Sequence, residues 1–362
     1  MSGHGLGHAS RSIEALDAIG TQRPDVRLLV RTSAPRWIFE QSARVAIDVH
    51  ACETDVGMVQ LDALRIDETA TAARAAAFYE RFDARVEREA AWLREARADL
   101  VVADIPPLAF PAAARAGIPS IAFGNFTWDW IYEDNPVMAA SARGVVPRVR
   151  EAYGAATRAL RLPFHGGFAP MAGRVRDIPL VVRRSTRDPA DTRRLLGLER
   201  GRPAVLASFG AYGAALPYAR ALADRRLTVL TTGRDSEDTT PPPPGLVRLD
   251  LTALAAHGVR YEDVIAAADV ILSKPGYGIV SECAAHGVPL LYATRGHFRE
   301  QDVFVEEMPR TLRARVIDHV DLLHGRWADA VEAVLDQPAP AEHLATDGAD
   351  AAAGEILKEL RN

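Results

Sequence analysis

The sequence predicts an α/β protein made of two successive halves, each organised around a parallel sheet. Three observations lead there. DLVVAD (99–104), PLAFPAAARAG (107–117) and IPSIAFGN (118–125) read as strand, helix, strand, and a βαβ unit of that spacing implies parallel pairing. The same grammar restarts after Arg202. The chain has 362 residues, 48% hydrophobic and 25% charged, which suits two domains with real apolar cores.

The elements follow in order. The chain opens on MSGHGLGHASR, a Gly/His loop, and residues 9–19 then read as a helix. VRLLVRTS (26–33) is a strand, and the Ala/Arg/Glu stretch from about 68 to 97 has helical periodicity. DLVVAD is a buried strand ending at Asp104, and Gly117 stops the helix after it. DIPLVVRRSTRDPADTRR (177–194) is the mixed Pro/Arg linker region, and boundaries of 1–178, 179–345 and 346–362 follow. In the second half PAVLASFG (203–210), RLTVLTTG (226–233) and GLVRLD (245–250) are strands, with TTPPPPG (239–245) a stiff loop. YEDVIAAAD (261–269) is a helix, VILSK (270–274) a strand, PGYG (275–278) a turn and IVSECAAHG (279–287) a helix closed by Gly287. PLLYATR (289–295) is the next strand. GADAAAGEILKEL (348–360) is an amphipathic helix with no place in the second half, free to cross back to the first.

Composition narrows the function. A net charge of −5 forces no basic face, which argues against a nucleic-acid binder. The two cysteines, Cys52 and Cys283, are too few and too far apart for a disulfide framework or a Cys-rich metal site. No apolar run reaches the roughly 18 residues of a membrane span, and the N-terminus lacks a charged-then-apolar signal. The expectation is a cytoplasmic enzyme or binding protein whose oligomeric state the sequence leaves open.

In open parallel sheets, ligands bind beyond the carboxyl ends of strands. ILSKPGYGIVSECAAHGVPLLYATRGHFREQD (271–302) is the richest such segment. Its Gly-rich turn lets backbone N–H groups approach a diphosphate, and the following helix N-terminus adds partial positive charge. Gly276 and Gly278 give the close approach, Tyr277 and Ser281 flank it, Glu282 could grip a ribose diol, and Glu300 and Gln301 could hold sugar hydroxyls. The plainer alternative is a tight βα connection with an acid placed for the helix dipole. Ser208 and Gly210, in SFGAYG (208–213), are plausible further phosphate contacts. Lys274 and Lys358 are the only lysines in a chain that otherwise uses Arg; Lys274 could balance diphosphate charge or be a leftover. Of Arg183 and Arg184, one or both could be plain surface charge, and one could reach a phosphate across the cleft. Trp128, Trp130 and Tyr132 alternate in NFTWDWIYED (125–134). That alternation fits either a half-buried strand or a stacking pocket, with Asn125, Trp128 and Asp129 as pocket residues.

The 271–302 segment resembles the nucleotide-sugar signature of the GT-B glycosyltransferases. A Gly-rich turn (Gly276, Gly278), a helix glutamate (Glu282), Gly287-Val-Pro289 and the pair Glu300-Gln301 stand in the family's order. The opening GHGLGH resembles the Gly/His loop of that family's acceptor domain. A nearer resemblance, over most of the chain, is to the glycosyltransferase-like N-terminal half of plant L-arabinokinases, carried by GHGLGHASR, DLVVADIPP, NFTWDWIY, IPLVVRR and SKPGYGIVSE. No Gly/Ser-rich ATP loop of the galactokinase type follows. Ser273-Lys274 stands where many of these transferases have a His.

The resemblance implies two Rossmann-like domains facing across a cleft, acceptor-binding in 1–178 and donor-binding in 179–345. It implies transfer of a sugar from a nucleotide-diphosphate sugar, a UDP-sugar, to the hydroxyl of a small molecule or glycan. The reaction would be inverting and need no metal or other cofactor. His8 would be the general base, with His4 the second choice, because imidazole titrates near neutrality. Asp104 would orient it; alternatively Asp104 is a loop acid before a Pro pair and His8 binds only phosphate or water. Rival functions are a nucleotide-sugar hydrolase or epimerase on the same scaffold, and a non-catalytic nucleotide-sugar-binding regulatory module. In such a fold a strand precedes the first Gly loop. The expectation is therefore a true start roughly 8–12 residues upstream, since a missing central strand costs about 1–3 kcal/mol per buried ladder group left unpaired.

Overall fold

The computed structural model describes residues 1–198, 201–210, 213–232 and 242–360. Residues 211–212 of the SFGAYG turn, Gly233 of RLTVLTTG and residues 239–241 of the proline loop lie outside the described residues. The first half carries β1 (Leu29–Thr32), β2 (Asp48–Ala51), β3 (Val101–Ala103), β4 (Ser120–Gly124), β5 (Arg158–Arg161) and β6 (Val175–Asp177). The second carries β7 (Ala204–Ala207), β8 (Thr228–Thr231), β9 (Leu246–Arg248), β10 (Val270–Ser273), β11 (Leu290–Tyr292) and β12 (Ala314–Val316). Every strand pairing is parallel.

The second half has one six-stranded sheet in the order β12-β11-β10-β7-β8-β9. Its central strands β7, β8 and β10 are buried along their whole length, as strands covered by helices on both faces must be. The first half is split into a β1-β2 pair and a four-stranded β3-β4-β5-β6 sheet. Residues 1–3 run between the two pieces. The Met1 amine donates to the Arg31 carbonyl at 2.8 Å, and the Ser2 N–H donates to the Asp104 carbonyl at 2.6 Å. Gly3 fits there because a Cβ would lie 2.0 Å from Ser33 Oγ.

Helices follow strands as the patterning predicts, with two differences. The 68–97 stretch forms two helices, Glu68–Glu80 and Phe82–Glu95, meeting at Arg81. The junction turns Phe78 and Phe82 into the core with Tyr79 against them, and that cluster outweighs helix continuity. The WDWIYE segment is the helix Trp128–Glu133 rather than an alternating strand. Gly117 and Gly287 close their helices in the left-handed conformation, at φ 77° and 67°. No described helix is long and apolar enough to cross a membrane.

The last helix, Gly348–Glu359, packs against the first, Gly7–Gln22; Ala352, Ala353, Ile356 and Leu357 share a core with Ala15 and Ile19. On its outer side Glu355 and Glu359 meet Arg176 at 2.6 Å and Arg158 at 2.8 Å. The chain crosses between the halves twice, at residues 178–182 and 345–348. The crossings are hydrogen-bonded to each other: the Leu180 N–H donates to the Ala345 carbonyl, and the Gly348 N–H to the Leu180 carbonyl, both at 3.0 Å.

Candidate functional site at the junction of the two halves

The helix Gly7–Gln22 presents His8, Arg11 and Ser12, one turn apart on a single face, to Asp104 at the end of β3. His8 Nδ1 lies 2.7 Å from Asp104 Oδ1. Two bare lone pairs repel at that separation, so a proton on Nδ1 suits the contact with Asp104. Nε2 has no hydrogen-bond partner among the described residues. Arg11 grips the same carboxylate, Nε donating to Oδ2 at 2.7 Å and Nη2 to Oδ1 at 2.6 Å, while Ser12 Oγ donates to Oδ2 at 3.0 Å. Burial alone would raise the Asp104 pKa, but the Arg11 guanidinium, and then His8, hold it well below the usual carboxylate range.

The network continues into the second half. Arg11 Nη1 donates to Asn125 Oδ1 at 2.5 Å, and Asn125 Nδ2 donates to Glu300 Oε1 at 2.9 Å. The Arg11 guanidinium also lies 4.9 Å from the centre of the Tyr277 ring, on the first residue of the helix Tyr277–His286. The structure thus brings together His8, Asp104, Asn125, Tyr277 and Glu300. His4 is close by: its ring meets Trp128 edge-on at 5.4 Å and lies against Gly57, where a Cβ would come within 2.6 Å of it. Burial, then His8, Arg295 and Lys274, push the His4 pKa far below the usual value.

In the second half, β10 ends at Ser273 and the turn leads into the helix Tyr277–His286. Among the described residues, nothing lies within 4 Å of where a Cβ would stand on Gly276, Gly278 or Gly210, so the backbone there is open to a close approach. Ser281 Oγ donates to the Gly278 carbonyl at 2.9 Å. Lys274 has no hydrogen-bond or ion-pair partner among the described residues, and burial, then Arg295, push its pKa down to about 7. Gln301 Oε1 accepts from the Arg295 N–H at 2.7 Å. Arg295 Nη2 reaches Glu300 at a long 3.4 Å, and its buried Nε has no partner.

Other candidates are engaged elsewhere. Glu282 is buried and paired with Arg183, Nε donating to Oε1 at 2.6 Å, and burial raises its pKa against that pull. Arg183 is therefore no surface charge, whereas Arg184 is exposed. Ser208 bonds the Tyr261 hydroxyl and accepts at its carbonyl from Ser273 Oγ. Trp128 is fully buried in the core, Nε1 donating to Asp55 at 2.9 Å. Asp129 is also buried and turns to Arg150 on the helix Val145–Gly154, at 3.4 Å, with no bond to His8 or Asp104. No three His, Cys, Asp or Glu side chains gather as metal ligands among the described residues.

Arg11, Asp55 and Arg295 escaped the sequence reading. For Arg11 a signal existed, since it stands three residues after His8 in GHASR and shares its helix face. Asp55 and Arg295 sit in loops, and only the fold brings them to the site.

Chains of known structure share this whole arrangement of sheets and cleft. The calicheamicin glycosyltransferase CalG4 superposes with a TM-score of 0.58 at 16% identity, covering 99% of this chain and 93% of that one. The glycotransferase of kitacinnamycin gives 0.59 at 20%, covering 99% and 93%. A UDP-glucosyltransferase from Polygonum tinctorium gives 0.59 at 14%, covering 99% and 92%. The chain has the GT-B fold. In this GT-B chain the His8–Asp104 pair belongs to the first Rossmann-like half and the Gly276–Gly278 turn to the second. L-arabinokinase of Arabidopsis thaliana is 34% identical over 349 residues, covering 92% of this chain and 31% of that protein. The chain thus spans about a third of that relative's length. No family model matches the chain.

Proposed function

We propose that this chain takes a UDP-sugar at the Gly276–Gly278 turn and transfers the sugar, with inversion, to the hydroxyl of a small-molecule or glycan acceptor. The observation that carries the proposal is that one helix face meets both parts of the site: His8 Nδ1 lies 2.7 Å from Asp104, and Arg11 lies 4.9 Å from the centre of the Tyr277 ring in the open glycine turn. His8 Nε2 accepts the acceptor's hydroxyl proton as the oxygen attacks the anomeric carbon. The bond from that carbon to the diphosphate breaks, and the diphosphate leaves with the electron pair. Lys274 and the N-terminus of the helix Tyr277–His286 stabilise the charge it gains. Glu300 and Gln301 hold sugar hydroxyls. Glu282, freed from or shared with Arg183, holds the ribose. Two of the solved GT-B chains carry such a nucleotide, UDP in a Siraitia grosvenorii transferase and dTDP in VinC, which supports the choice of ligand.

The test is calorimetry of the chain with UDP, dTDP and GDP, followed by a transfer assay with UDP-sugars and a panel of sugar and phenol acceptors. Binding of one nucleotide, weakened in K274M, together with turnover lost in H8Q, is expected. Binding without turnover under every acceptor would leave a nucleotide-sugar-binding module. No binding at all would overturn the proposal.

A further inference from the structure

Resting on that function, we propose that Arg11 is a positioning residue that keeps His8 a weak base until a diphosphate occupies the donor turn. Arg11 is 3% exposed and holds both oxygens of Asp104, the carboxylate on which His8 depends. Its Nη2 also stands 3.0 Å from His8 Nδ1. A carboxylate already neutralised by a guanidinium lends little stability to an imidazolium, and a fixed cation at that distance opposes a second one.

The other charged or titratable groups around His8 are few. Asp55 lies within electrostatic reach from the segment after β2, and His4 from the opening loop. Lys274 and Arg295, from the second half, act on His4, and the Met1 amine lies within electrostatic reach of Asp104. None of these touches Asp104.

The second half supplies the release. The Arg11 guanidinium lies over Tyr277, between the two glycines of the donor turn. A cavity of about 10 Å³, the room of a single water, is lined by Arg11, Gly278, Ser281 and Glu282. Arg11 therefore borders a small space that the turn also borders. A diphosphate there carries two negative charges towards Arg11. It draws the guanidinium from Asp104, or screens it in place, and the Asp104 charge passes to His8. Asn125 ties the same guanidinium to Glu300, so a sugar that engages Glu300 loosens Arg11 from a second direction. The base is thus armed only when the group to be transferred is present, which guards the chain against deprotonating an acceptor with nothing to attack.

The test is the His8 titration, followed by NMR of ¹³C-histidine-labelled full-length chain and assigned by the signal lost in H8Q. Saturating UDP is expected to raise the wild-type His8 pKa by about one unit, a tenfold change in the imidazolium ratio. R11K keeps the cation but not the planar fork that spans both Asp104 oxygens. In free R11K the His8 pKa is expected to start higher, and the UDP-induced rise to shrink. The pH profile of kcat/KM for R11K should move with it, a change that a merely structural arginine would not cause. If UDP binds by calorimetry and leaves His8 unmoved, or moves it equally in wild type and R11K, the proposal is overturned. If UDP does not bind, the donor reading and the release step fall together. The restraint on His8 is then judged from free R11K alone, where an unmoved His8 overturns it.

Discussion

The two halves of the cleft differ in how far their charges are answered. In the first half every strong charge at the site is answered: Asp104 meets Arg11, His8 and Ser12, and Arg11 spends its donors on Asp104 and Asn125. In the second half Lys274 has no partner among the described residues, and Arg295 reaches Glu300 only at 3.4 Å with Nε unpaired. Glycine backbone stands open beside them. A saturated network is rigid and keeps a reacting group in one geometry, whereas cations held from water with few or long contacts carry a cost that an anion relieves. On the proposed function, the first half holds the base and the second receives the charge.

Four experiments break or sharpen that contrast, from the largest effect to the smallest. H8Q removes the base and leaves the second half untouched; turnover is expected to fall by about 10²–10⁴-fold while UDP affinity in calorimetry stays within twofold. A parallel loss of affinity would show that the halves do not divide the work. D104A leaves Arg11 buried without its carboxylate, and urea unfolding is expected to show about 3–5 kcal/mol less stability. A loss below about 1 kcal/mol would mean that the first-half network is not saturated in solution.

K274M acts in the opposite direction. Burial holds the folded Lys274 near 7 against an ordinary 10.5. Between those values the unfolded chain carries a proton that the folded chain lacks, so stability rises with pH across that window. Below it, the buried charge weighs fully against the fold. Free K274M is therefore expected to melt above wild type at pH 6, to lose that advantage towards pH 10, and to bind UDP about tenfold more weakly. Equal melting curves at pH 6 would remove the idea of an uncompensated cation. The smallest effect is proton uptake. Near pH 7 part of the Lys274 population is neutral, and a bound diphosphate favours the ammonium, so UDP binding should take up protons. Calorimetry in buffers of different ionisation enthalpy reads this directly, and K274M should take up fewer protons than wild type, keeping only the share that His8 contributes.

The contrast was partly legible in the sequence. Period and punctuation gave the strands, and the turn after β10 was readable because its glycines, its lysine and its helix lie within a dozen residues. His8 and Asp104 were readable as residues that follow or precede a strand or helix end. Their partners were not. Arg11 and Asp104 are separated by 93 residues, and Asn125 and Glu300 by 175; no local period carries such pairings. Glu282 shows the reverse. Its place in the helix was clear, but its commitment to Arg183, 99 residues away, is a product of the fold. The Trp128 segment was ambiguous because alternation over five residues suits a strand, and only the core formed by Phe126, Tyr132 and Trp128 selects the helix.

The paired crossings at Leu180 and Gly348 have a mechanical consequence. Two chains that leave one body side by side, stitched by hydrogen bonds, form a hinge with a defined axis rather than a loose tether. The cleft can gape by rotation about that axis, but sliding the halves past each other would tear the stitches. Gly348 sits at the pivot because any side chain there would strike the Pro179 carbonyl, 2.2 Å from its Cβ. The same stitched joint fixes how the first helix, with Arg11, sits over Tyr277 of the second half.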